Sequence, residues 1–173
     1  MRTSPLVAAV LALAFTACQS TRSPEIHDVD PEQREIMFSA VSSLAGKWQG
    51  EEVEGQASLS VFEVTSRNSV VRETMLPGTE NEMTNMYSLD GNDLVMTHYC
   101  AGGNQPTMRA TSFEDDQLVF HFEDVRDLKA ADEVYMGELT IVFVDDNTIE
   151  QHWRALSNGE ANHDMVMVLE RVQ

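Results

Sequence analysis

Glu82-Met83-Thr84-Asn85-Met86-Tyr87-Ser88-Leu89-Asp90-Gly91-Asn92-Asp93-Leu94-Val95-Met96-Thr97-His98-Tyr99 is the stretch that decides the fold. Two runs of strand-forming residues flank Asp90-Gly91. That dipeptide reverses a chain into a tight antiparallel hairpin because glycine tolerates the positive φ of such turns. In the second run Leu94, Met96, His98 and then Cys100 fall on one face, and Thr97 and Tyr99 on the other, the period-two pattern of a strand.

The same alternation of short strands and turns extends in both directions. The expected strands are 47–54, 57–64, 70–76, 82–89, 93–99, 106–113, 117–124, 137–144, 148–155 and 164–172. Ser66-Arg67-Asn68, Pro77-Gly78, Asp115-Asp116, Asp145-Asp146-Asn147 and Ser157-Asn158-Gly159 supply the connecting turns. About ten consecutive hairpin-linked strands require closure, because an open sheet leaves two unpaired edges. The expected fold is therefore an all-β, up-and-down antiparallel barrel of about ten strands; the alternative is a β-sandwich. Leu118, Phe120 and Phe122 form one apolar face. Leu139, Ile141 and Phe143 form another, with Val142 and Val144 apolar behind them, as in a strand buried on both sides, its outer face under the helix. The longest break, Val125 to Met136, is charged and is expected at a barrel mouth.

One helix is expected, over residues 31–44, ahead of the barrel. Asp30 suits the N-cap, Pro31 the first turn, and Gln33 the third position of a capping box. Ile36, Met37, Val41 and Leu44 recur at helical spacing, and Gly46 ends the run. The helix is expected to cap the barrel.

Residues 1–17 read as a leader rather than as part of the domain. Arg2 is followed by the apolar run Pro5 to Ala14, signal-peptide length and well below the ~20 residues of a spanning helix. Phe15-Thr16-Ala17-Cys18 resembles the lipobox of bacterial lipoproteins, with Phe15 where Leu is usual. The resemblance implies cleavage before Cys18 and lipidation of that residue; Gln19 implies the outer membrane. The alternative is ordinary secretion to the periplasm. Residues 18–30 read as a flexible tether and 31–173 as one domain. With Cys18 acylated, Cys100 has no partner for an internal disulfide.

The 173 residues carry 11 Lys+Arg against 29 Asp+Glu, a net charge of −18, which repels phosphate backbones and argues against nucleic acid as a partner. An acidic domain still attaches to a membrane through acyl chains, each buried CH₂ contributing about 0.8 kcal/mol. Ten methionines provide an adaptable interior suited to apolar ligands, or ordinary core filler.

Leu44-Ala45-Gly46-Lys47-Trp48 resembles the Gly-x-Trp opening of the calycins: lipocalins, fatty-acid-binding proteins and nitrobindin-like barrels. Glu73-Thr74-Met75-Leu76-Pro77-Gly78, Met86 to Gly91, Thr97 to Cys100 and Gly103 to Met108 are similar to a group of calycin-like secreted bacterial proteins of unknown function. The resemblance covers Leu44 to Gln173. It implies a ten-stranded barrel plugged by Trp48, and it brings no established ligand. Heme enters as a candidate cofactor through the nitrobindin comparison, without an axial-ligand motif.

The candidate ligand site is His98, Tyr99, Asn104 and Gln105 around Gly102-Gly103, with Arg109 as a charge partner for an anionic ligand. Strand alternation forbids His98 and Tyr99 from both facing inward, and the apolar company of Leu94 and Met96 favours His98. The bland reading is that the glycines serve the turn and the amides satisfy loop backbone. His98 beside Cys100 suggests an activated thiol, but no oxyanion donor or orienting group accompanies the pair. The histidines at 98, 121, 152 and 163 lack metal-site spacing. Arg72, Arg109 and Arg154 are expected to pair with surface carboxylates. The function this supports is binding of a small apolar or amphipathic molecule by an envelope lipoprotein. The alternatives are a structural envelope protein without ligand, a heme-binding barrel and a hydrolytic barrel.

Overall fold

The computed structural model describes residues 27–53 and 56–173. Cys18, the leader and most of the tether lie outside the described residues.

The helix α1 spans Pro31–Ser42. Asp30 caps it, its carboxylate accepting from the backbone N–H of Glu32 at 2.9 Å and Gln33 at 3.4 Å. The Gln33 side chain does not complete a capping box; it donates to the Thr111 carbonyl at 3.0 Å and ties the helix start to the sheet. Met37, Val41 and Leu44 are buried, whereas Ile36 faces solvent. Gly46, at φ +135°, turns the chain out of the helix and into the first strand.

The strands are β1 (Gly46–Val53), β2 (Gln56–Thr65), β3 (Val70–Met75), β4 (Met83–Asp90), β5 (Asp93–Tyr99), β6 (Gln105–Ala110), β7 (Phe113–Glu114), β8 (Gln117–Arg126), β9 (Tyr135–Asp145), β10 (Thr148–Ser157) and β11 (Glu160–Arg171). Successive strands pair antiparallel apart from β6 and β7; β6 pairs with β8, and β1 pairs with β11. Ten strands thus close into a barrel, with β7 an extra pair of residues on β8. The sandwich alternative falls, because one sheet runs through every strand and closes on itself. The strand expected over 106–113 breaks after Ala110, leaving β6 and β7.

The up-and-down course sets two unlike ends. The helix lies at one end with the turns at 66–69, 91–92, 115–116 and 146–147; the other end carries 76–82, 100–104, 127–134 and 158–159. Helix α1 packs on β2, β4, β5 and β7. It is not a cover for β9, whose Val144 is exposed. At the helix end Met37, Val41, Leu44, Trp48, Leu94, Leu118, Ile149 and Leu169 make an apolar plug. Trp48 is 1% exposed and donates its indole N–H to the Leu44 carbonyl at 2.7 Å. The Arg171 guanidinium covers the Trp48 ring at 4.2 Å and donates to the Ala45 and Ser43 carbonyls.

Leu118 and Phe120 point inward as their alternation requires, but Phe122 is 38% exposed. The β6–β8 register shifts between Thr107 and Met108, and β8–β9 pairing ends at His121–Glu138. Past that point β8 swings away from β9, and Phe122 rests against Tyr135.

Candidate functional site

The interior changes character along the barrel axis. Toward the end away from the helix, the inward positions include Ser58, Ser60, Glu73, Asn85, Tyr87, His98, Asn104 and Gln151, all buried. Glu73 is the hub. Ser60 Oγ and Gln151 Nε2 donate to its Oε1, each at 2.9 Å; Asn85 Nδ2 and Tyr87 OH donate to its Oε2 at 2.7 and 2.8 Å. Burial, and then the Glu73 carboxylate beside it, hold the Tyr87 hydroxyl protonated well above the usual phenol range, which fixes it as a donor. Strand β10 lies across the barrel from β3, so the Gln151–Glu73 bond bridges the interior instead of following the sheet.

His98 joins this network through Asn85. Because Asn85 gives its N–H to Glu73, its Oδ1 is the atom that faces His98 Nδ1, at 2.6 Å. His98 therefore carries its proton on Nδ1. Burial holds its pKa down at about 4, so the ring is neutral at pH 7 and Nε2 keeps its lone pair. Nε2 is buried without a hydrogen-bond partner. The ring stands 5.2 Å from Trp153, again across the barrel.

Asn104 belongs to the far-end closure. Its Nδ2 donates to Glu133 Oε1 and to the Val134 carbonyl, both at 3.0 Å, leaving buried Oδ1 without a partner. The loop 127–134, the expected mouth loop, is held down further by Ser157 Oγ on the Asp132 carbonyl and Asn158 N on the Ala131 carbonyl.

The other expected site residues lie outside the interior. Tyr99 is 46% exposed. Gln105 turns its amide to the Gly103 carbonyl at 2.7 Å, a loop-satisfying role. Arg109 sits on the outer face among Asp90, Asp93 and Glu123 at 2.8 to 3.2 Å. Arg154 pairs with Glu138 and Asp164, and Arg72 with Glu63. None of the described buried residues is Lys or Arg, so these described interior positions offer no arginine to a ligand carboxylate. Cys100 is half-buried and accepts from Gly102 N at 3.4 Å, stabilising the turn. His152 pairs with Glu150 on the outside, and His121 and His163 are exposed. Among the described residues no three metal-ligating side chains cluster.

A cavity lies in the barrel wall beside β1 and β11. β1 and β11 share three register pairs, Trp48–Arg171, Gln49–Glu170 and Gly50–Leu169. Beyond them this cavity of about 790 Å³ opens, running from outward-facing Val166 and Val168 to inward-facing Ser58 and Met167. Met167 is the register partner of Gln151, and Ser58 stands two residues from Ser60 on the same face. The cavity floor, Ser58 and Met167, therefore lies next to the Glu73 layer without including it. Met167, buried in the cavity lining, has the unbranched, adaptable side chain of a methionine.

Glu73, Asn85, Tyr87, Ser60 and Gln151 were not singled out by sequence reasoning. A signal existed for two of them: Glu73 and Gln151 each interrupt an apolar alternating series, Val71-Glu73-Met75 and Ile149-Gln151-Trp153.

The fold and this layered interior define a closed ten-stranded antiparallel barrel with one capped end, an architecture compatible with the calycins. No protein-family model matches the chain, and no curated protein is significantly similar to it.

Proposed function

We propose that this is a lipid-anchored envelope barrel that binds a small apolar or amphipathic molecule taken in through the β1–β11 gap. The observation that carries this reading is the cavity beside those strands, in which Val166 and Val168, among Gln49, Glu51 and Glu170, stand above buried Ser58 and Met167. The capped helix end and the pinned 127–134 loop favour entry through the wall over entry through either end. Anchoring follows from the lipobox-like Phe15-Thr16-Ala17-Cys18, with acylation on Cys18.

Two measurements test it. Native mass spectrometry of protein purified from its own envelope is expected to find a co-purifying mass. Met167→Trp, which fills the gap, abolishes that mass, whereas Val119→Trp on the outer face keeps it. Retention of the mass in Met167→Trp refutes this entry route. Radiolabelled acyl chains are expected in the wild type and absent from Cys18→Ala; equal labelling removes the anchor. The second reading, a scaffold without ligand, draws support from the Gln151–Glu73 bond across the interior, and absence of any bound mass favours it.

A further inference from the structure

We infer that the guest of this barrel presents a hydrogen-bond donor, and that its class is a small organic amine bound as the ammonium rather than a fatty acid or other carboxylate. The inference rests on the binding reading above and specifies its ligand.

The argument is an accounting of donors and acceptors in the interior. The Ser60, Asn85, Tyr87 and Gln151 donors all go to Glu73. The His98 Nδ1 proton goes to Asn85, the Asn104 amide protons to Glu133 and Val134, and the Trp48 indole to Leu44. The Ser58 hydroxyl faces the Met167 thioether at 3.6 Å. Trp153 Nε1 faces Gln151 Oε1 at 3.5 Å. The buried side-chain atoms left without a partner, His98 Nε2 and Asn104 Oδ1, are both acceptors.

Both assignments are forced by chemistry. Flipping Asn104 would aim its carbonyl oxygen at a carboxylate and a carbonyl. Flipping Asn85 would aim its oxygen at Glu73. Either change sets acceptor against acceptor. Beside His98 and Asn104 a carboxylate guest would set acceptor against acceptor, whereas an N–H group meets its complement; the Ser58 hydroxyl, held only by a thioether, is a weakly used donor in the cavity lining.

Charge points the same way. Glu73 is fully buried, and none of the described buried residues is Lys or Arg. A buried charge without a counterion is costly, and an ammonium entering beside it removes that cost. The Trp153 ring beside His98 adds an aromatic face of the kind that attracts cations. A protein of net charge −18 also concentrates cations and repels anions at its surface.

The test compares hexylamine, hexanol and hexanoate at pH 7.5, three probes with one alkyl body and different heads. Binding to the mature protein is read by calorimetry and by the ¹⁵N resonance of His98 Nε2. Hexylammonium is expected to bind at least ten-fold more tightly than hexanoate and to move the Nε2 resonance, with hexanol between them. Glu73→Gln is expected to lower hexylammonium affinity at least ten-fold while hexanol changes less than three-fold. His98→Phe, with folding checked by circular dichroism, provides a second variant and should weaken both donors. Hexanoate binding as tightly as hexylammonium overturns the amine class and leaves the binding barrel standing. So does a co-purified carboxylate that lacks an N–H group. If none of the probes binds, the class is overturned, and the native mass spectrum then decides whether the binding reading survives.

Discussion

Replacing Glu73 by alanine removes the acceptor on which the interior layer converges. Four donors lose their partner at once: Ser60, Asn85, Tyr87 and Gln151. Orphaning one buried polar group destabilises by about 1–3 kcal/mol. Water entering the vacated space can serve some of the four, so the low end applies to each, giving about 4 kcal/mol in total. That is a large part of the ~5–15 kcal/mol that holds a typical domain folded. With a urea slope near ~2 kcal/mol/M, the unfolding midpoint falls by about 2 M. Equilibrium unfolding followed by tryptophan fluorescence measures it. Glu73→Gln keeps Oε1 for Ser60 and Gln151 but turns an N–H toward two donors, and should lose about 1–3 kcal/mol. A Glu73→Ala protein within 1 kcal/mol of the wild type would refute the claim that this carboxylate organises the interior.

Trp48→Ala should destabilise by about 3–5 kcal/mol, since the ring is buried under Arg171 and plugs the helix end; chemical denaturation giving less than 1 kcal/mol would take it out of the core. His98 titrates at about 4 when folded against an ordinary 6.5. Its contribution is therefore complete above pH 6.5 and is lost as pH falls toward 4, by about 3 kcal/mol. Urea midpoints across that range should drop more steeply in wild type than in His98→Phe, and parallel slopes would count against a buried neutral imidazole. Asn104→Ala unpins the 127–134 loop, and limited proteolysis should then cut within that loop several-fold faster with little change at the helix end.

The fold was legible because its signals are local. Asp90-Gly91, Asp115-Asp116 and Asn158-Gly159 punctuate runs of period two, and the ten expected strands correspond to β1–β6 and β8–β11. The helix start followed from Asp30 and Pro31 for the same reason. What escaped was set by register between distant strands. Phe122 left the interior because a bulge opposite Thr107–Met108 offsets β8, which no feature of the 117–124 run announces. Of the candidate site residues, His98 and Asn104 point inward, and Tyr99, Gln105 and Arg109 do not. The apolar neighbours of His98 foretold its direction. The polar series Gln105-Thr107-Arg109 left its face open until the inward burial of Pro106, Met108 and Ala110 decided it. Glu73 was passed over beside Arg72, whose charge suggested a surface pair; only alternation with Val71 and Met75 marked it as interior.

The clasp formed by Arg171 bears on how such a molecule is made. Its guanidinium reaches carbonyls 126 and 128 positions earlier in the chain, and the pairing it completes is the one that shuts the barrel. A chain that emerges N-terminus first, whether from a ribosome or a translocation pore, can build its hairpins one by one. It cannot satisfy the β1 edge until nearly the last strand has arrived. Throughout that interval the growing sheet has an open margin able to recruit a strand from another molecule. The wait lengthens with every hairpin, so a truncation that removes only the final turn of sequence, Leu169 to Gln173, should leave most of the sheet formed yet prone to self-association.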